Sequence, residues 1–194
     1  MKSLTKKLLF LSLIITPTLD VLIPSYEQLN EFYLKSRSNL DFVIPFSNPV
    51  KKKINTYIFE GLMNSKNSSV VDENFVKKII KKESNNNAFA YGNFKERGLM
   101  QISKEAWEQV ENKKPYEDYA FDSKMNIQVG INYLKWIEDY LSEKILSWDT
   151  LSDNKKQIFI VAGYNCGAPK LSRLKFDLDK VPITTKKYIH DVFY

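Results

Sequence analysis

The stretch from Lys81 to Ser103 reads "KKESNNNAFAYGNFKERGLMQIS", and it sets an acidic residue, Glu83, at the end of an apolar helical pattern. An Asn-rich run dotted with aromatics follows, and then Gly98-Leu99-Met100-Gln101. Upstream, Phe75, Val76, Ile79 and Ile80 form an apolar stripe at helical spacing, with Asp72 placed as its N-cap. Glu83 lies three residues beyond Ile80 and four beyond Ile79, so it continues the core-facing stripe. Lys77, Lys78, Lys81 and Lys82 fall on the other faces. A carboxyl group partly withdrawn from water resists ionisation, and its pKa rises. Such a glutamate keeps its proton near neutral pH and can act as a general acid, which suits cleavage of a glycosidic bond. The plainer alternative is a solvated glutamate at a frayed helix end, and periodicity by itself leans to it.

Outward from this stretch, the helical periodicity continues. Ser103 is placed to cap a short helix carrying Trp107 and Val110, and Asp122 or Ser123 to cap a long one with Ile127, Ile131, Leu134 and Leu141. Another helix is expected from about Asp153, burying Ile158, Val161 and Ala162 before Gly167 ends it. Thr184 or Thr185 is expected to open a last helix with Tyr188, Ile189 and Val192. Long alternating patterns are absent, so the fold class is mainly α. The polar run "NSKNSS", Asn64–Ser69, reads as a hinge, giving a main domain over residues 70–194. Residues 21–69 read as an N-terminal extension or linker, with helical segments at Ser25–Lys35 and Val50–Met63; Ile54, Ile58 and Leu62 share a face of the second.

Residues 1–20 read as a signal peptide or an N-terminal anchor. Lys2, Lys6 and Lys7 precede "LLFLSLII", and no charge occurs from Leu8 until Asp20. The apolar run falls short of the about 20 residues of a comfortable membrane span, no small-x-small cleavage site is evident and no cysteine follows to carry a lipid. Export is therefore expected, to the periplasm or cell envelope, with an uncleaved anchor as one form of it.

The chain has 194 residues, of which 43% are hydrophobic, which fits a globular core rather than disorder. A net charge of +6 favours an anionic partner, but the lysines are spread along helical segments, no arginine-rich patch occurs, and no nucleic-acid partner is expected. Cys166 is the single cysteine and His190 the single histidine, which excludes an internal disulfide and a typical zinc site. Without a Gly-rich phosphate loop or calcium-loop spacing, neither cofactor nor metal is expected.

With these residues in view, the chain from about Val71 to Tyr194 resembles the catalytic domain of soluble-type lytic transglycosylases, related in fold to goose-type lysozyme. The resemblance rests on Glu83-Ser84 at a helix end, an Asn-containing loop, and Gly98-Leu99-Met100-Gln101 fifteen residues on from the glutamate. It continues through Asn126-Ile127, Gly130 and Tyr133-Leu134, then Ala162, Tyr164, Asn165 and Gly167, and ends with Pro182 and Tyr188-Ile189. The resemblance implies one catalytic glutamate, Glu83, with Met100 and Gln101 lining a saccharide groove beside it. It places Tyr164 and Asn165 opposite, the Tyr164 hydroxyl close to the acid or the sugar, and has Tyr188 help to close the site. Aromatic rings and amides suit sugar recognition. Core packing is the alternative for Met100 and Tyr188, and helix-end capping for Tyr164 and Asn165. Gly98 reads as structural. The chain also departs from the family pattern: Asn87-Ala88 replaces Asn-Pro, Gly92 stands where a serine is common, Thr184 stands in place of a glutamate, and Cys166 in place of a smaller residue.

The implied function is cleavage of the β-1,4 bond between N-acetylmuramic acid and N-acetylglucosamine in peptidoglycan, without water, leaving 1,6-anhydro ends. Glu83 serves as acid and then base, and the substrate's own N-acetyl group replaces the second carboxylate of most retaining glycosidases. Glu96, Glu105, Asp118 and Asp122 read as surface or capping charges. The expected partner is the peptidoglycan glycan strand; membrane anchoring through the N-terminus and contact with cell-envelope assemblies stay open. A hydrolytic muramidase and a non-catalytic wall-binding protein are the competing readings.

Overall fold

The computed structural model describes residues 48–66, 68 and 70–194. The expected signal or anchor and the Ser25–Lys35 segment lie outside the described residues. Among the described residues, none of the helices is long and apolar enough to cross a membrane. The described part is mainly α, as the periodicity predicts: eight α-helices, one short 3-10 turn at Trp148–Thr150, and only isolated bridges within one loop.

Helix α1, Asn48–Met63, leads to α2, Glu73–Ser84, and the short α3, Lys104–Val110, and α4, Tyr116–Tyr119. Then come the long α5, Ser123–Ser142, followed by α6, Asp153–Cys166, α7, Ala168–Arg173, and α8, Ile183–Phe193. The expected caps form. Asp72 accepts from the Phe75 N–H, Ser103 from Ala106 and Asp122 from Met125, each satisfying a backbone donor that an N-terminus leaves open.

Helix α5 is the spine. Ile127, Ile131, Leu134, Ile137 and Leu141 are all fully buried, and α5 packs against α1, α3, α6 and α7. Helix α1 joins the same compact unit, although it lies on the N-terminal side of the expected hinge. Ile58 is 0% exposed, Lys124 pairs with Glu60 at 2.8 Å, and the Ser65 hydroxyl donates to Asn132 at 2.6 Å.

Two local expectations are corrected. Helix α6, packed on α5 and α8, buries Val161 and Ala162 as expected, together with Phe159, Ile160 and Gly163, but leaves Ile158 only half-buried. Helix α8 begins at Ile183, with Pro182 ahead of it, rather than on a threonine cap. Helices α4 and α7 were not predicted; at 4 and 6 residues they are too short to carry a periodic signal.

The segment after α2 is held by one side chain of α5. Asn126, wholly buried, accepts from the Met100 N–H at 2.8 Å and donates to the carbonyls of Arg97 at 2.9 Å and Ala120 at 2.8 Å. Gly98 sits against this amide with φ +80, where any Cβ would stand 2.6 Å from the Ala120 oxygen, so glycine is required there. Arg97 lies over the Tyr116 ring at 4.7 Å and pairs with Glu117 at 2.6 Å.

Asn126→Asp keeps the shape but turns a carboxylate oxygen toward two carbonyls. It is expected to cost about 2–4 kcal/mol in urea unfolding, the scale of a buried polar network left half satisfied. A loss within a few tenths of a kcal/mol would remove Asn126 as the anchor of the loop.

Candidate active site

Glu83 occupies the last turn of α2. The helix stops at Ser84, one residue past Glu83, because Asn85 takes the left-handed conformation, φ 51, and Asn86 does the same at φ 65. Asparagine tolerates this region better than other side-chain-bearing residues. Asn87 then accepts from the Phe89 N–H at 3.0 Å, a local turn. The Asn-rich run therefore ends the helix and reverses the chain directly behind the carboxyl group.

Three elements reach Glu83, and a fourth backs one of them. From α8, the Tyr188 hydroxyl, on a side chain only 7% exposed, donates to Glu83 Oε1. From α6, Tyr164 donates to the Met100 carbonyl at 2.6 Å; burial above all, and then the negative charge of Glu83, holds its phenol well above the ordinary tyrosine range. From α5, the Tyr133 ring lies 5.7 Å from that of Tyr164. From the loop comes Glu96, whose charge reaches Glu83. Helix α8 packs on both α2 and α6, which is what brings Tyr188 and Tyr164 to the same place.

Burial is the dominant influence on Glu83, and it pushes the carboxyl from its ordinary 4.5 to about 7. The Tyr188 hydrogen bond works against the shift, Glu96 adds to it, and Lys82 opposes it. Lys82 is itself drawn to Asp191 at 2.6 Å, which blunts its pull on Glu83.

The other sequence-predicted residues take these places. Met100 is 0% exposed: its side chain lies on Gly130 of α5, where a Cβ would collide with the sulfur. What Met100 brings to the site is its carbonyl, the acceptor of Tyr164, and not its thioether; this corrects the expected groove-lining side chain. Gln101, left-handed at φ 46, is partly buried beside Gly98, its amide donating to the Ala90 and Gly98 carbonyls. Asn165 is exposed at the end of α6 and accepts from Thr185 of α8 at 2.8 Å, so it ties the two helices together. Sequence reasoning missed Tyr133 and Glu96. Tyr133 carried a usable signal, since it falls one turn from Gly130 on α5; Glu96 was read as a surface charge and is partly buried.

Residues 62–180 match a protein-family model, that of the transglycosylase SLT domain. The chain belongs to this family. A comparison with curated proteins returns no match. The SLT match carries lytic transglycosylase-type action on peptidoglycan at the level of the family, and the helical architecture is consistent with its lysozyme-like fold. The matched SLT residues contain Glu83, the loop, Tyr133 and Tyr164; α8, with Tyr188, follows them.

The raised Glu83 value has a stability consequence. Between about 4.5 and about 7 the folded protein holds a proton that the unfolded chain has lost. Stability is therefore highest at and below the lower value and falls as pH rises through the upper one, by roughly 3 kcal/mol at full ionisation. Glu83→Gln removes this loss, so its stability advantage over the parent should widen between pH 5 and pH 8 in thermal melts. A difference that stays flat across that range would show that Glu83 titrates normally.

Proposed function

We propose that the protein is a peptidoglycan lytic transglycosylase that cuts the β-1,4 bond between N-acetylmuramic acid and N-acetylglucosamine, with Glu83 as acid and then base. The observation that carries this reading is the mostly buried Glu83 carboxyl, held near 7 and met by the Tyr188 hydroxyl. A carboxyl in that state still holds its proton at neutral pH, yet gives it up at little cost to a departing oxygen.

The reaction follows from that one group. Glu83 donates its proton to the glycosidic oxygen as the bond to the muramoyl anomeric carbon breaks, and N-acetylglucosamine leaves with a free 4-hydroxyl. The acetamido carbonyl oxygen of the muramoyl residue supplies the electron pair to the anomeric carbon, as substrate-assisted glycosidases do. The Glu83 carboxylate then takes the proton of the muramoyl 6-hydroxyl, and that oxygen displaces the acetamido oxygen to close a 1,6-anhydro ring. Glu83 ends protonated, ready for another turn. Tyr188, donating to the carboxylate, steadies the ionised form between the two steps. Tyr164 fixes the Met100 carbonyl and so the edge of the loop.

Peptidoglycan as substrate implies the cell envelope, and the basic, apolar character of residues 1–20 suits an export signal or anchor. A net charge of +6 suits a polymer whose peptide stems carry carboxylates.

Digestion of purified peptidoglycan followed by mass spectrometry tests the reading. Products lighter by one water than hydrolytic muropeptides are expected from the parent, and a loss of at least a thousandfold from Glu83→Gln, the scale of removing an essential proton donor. Hydrated reducing ends would make water the nucleophile, and the absence of any product would leave a wall-binding protein.

A further inference from the structure

Gln101 has its amide orientation settled by its surroundings. Both N–H groups of Nε2 have carbonyl acceptors, Ala90 and Gly98, each at 2.9 Å, so Oε1 points the other way. That oxygen stands 3.0 Å from where a Cβ on Gly92 would lie. The Glu96 Oε2 atom comes closer still to the same point, into room that a side chain at Gly92 would fill. Glu96 accepts from the Phe94 N–H at 3.1 Å, and among the described residues no Lys, Arg or His forms an ion pair with it. The neighbouring Arg97 is directed to Glu117 and to the rings of Tyr91, Tyr116 and Phe121.

Two acceptor oxygens thus lie side by side against Gly92, with the Phe94 N–H as the backbone donor to Glu96 and no cation paired with it. Such a pair is complemented by a ligand carrying O–H or N–H groups. We infer that Glu96 and Gln101 form a paired acceptor beside Glu83 that takes the hydroxyl and acetamido N–H donors of a bound sugar, with Glu96 a specificity-determining residue. The inference rests on the saccharide reading above. The location is right: Gln101 adjoins Met100, whose carbonyl holds Tyr164, and Tyr164 in turn feels the charge of Glu83. The groups facing Glu83 are Tyr188 of α8, Tyr164 of α6, Glu96 of the loop, and Lys82 of its own helix, the last paired with Asp191. Glu96 is the one carboxylate among them besides the salt-bridged Asp191, so its charge also favours the protonated acid.

Binding of a hexamer of N-acetylglucosamine to the inactive Glu83→Gln protein, measured by calorimetry, separates the possibilities without needing turnover. Adding Glu96→Ala is expected to weaken binding about tenfold, the loss of one hydrogen bond to a charged group. Gly92→Ala, whose new methyl displaces the flexible Glu96 carboxylate and presses on Gln101 Oε1, should weaken it in the same direction with the melting temperature kept. Equal affinity in all three proteins overturns the inference, and Gly92→Ala carries the test alone if Glu96→Ala fails to fold. Failure of the Glu83→Gln protein itself to bind overturns the saccharide reading, and the inference with it. In the otherwise unaltered enzyme, Glu96→Gln removes a charge that raises the Glu83 value, so the alkaline limb of the rate profile should move to lower pH. A merely structural Glu96 would leave that limb in place.

Discussion

Everything in this molecule turns on taking one carboxyl group out of water and giving it one hydrogen-bond donor. Burial and donation act in opposite directions on Glu83: the first favours the acid, the second favours its anion. Their balance leaves the group near 7, where both protonation states are accessible. A deeper burial without Tyr188 would trap the proton, and a solvated glutamate would never hold it. The helix end places the residue, and α8 supplies the donor from 105 positions further along the chain.

The scaffold serves that balance by polar anchoring as much as by apolar packing. Asn126 at the start of α5 fixes the loop through three hydrogen bonds, and Gly98 and Gly130 let the backbone and the Met100 side chain approach it closely. Met100, sunk into the core, in turn offers a carbonyl to Tyr164. Such a chain of contacts transmits positional accuracy from the rigid helix α5 to the rim of the site. It also makes the loop costly to alter, since a half-satisfied buried network is worse than none.

Much of this was legible in the sequence where the cause is local. The apolar stripe of α2, the Asp72, Ser103 and Asp122 caps and the placement of Glu83 on the core-facing side depend on residues within four positions of one another. What escaped depends on distant partners. Met100 looks like a groove residue until Gly130 provides the hollow that takes its sulfur. Glu96 looks like a surface charge until the chain turns through left-handed backbone at Asn85, Asn86, Lys95 and Gln101 and brings it back toward Glu83. Asn165 looks like a ligand-facing amide, and its oxygen is taken by Thr185. In each case the residue type was informative, and its direction was set by a tertiary contact that no periodicity encodes.

The general-acid role proposed for Glu83 rests on a single property, the proton held by that side chain. Carbon-13 labelling of the glutamate carboxyl groups, with Glu83→Gln to assign the resonance, measures it directly by NMR titration of the intact protein. A midpoint near 7 for Glu83 is expected. A midpoint at the ordinary value near 4.5 would mean a solvated carboxylate, and would contradict the general-acid role outright.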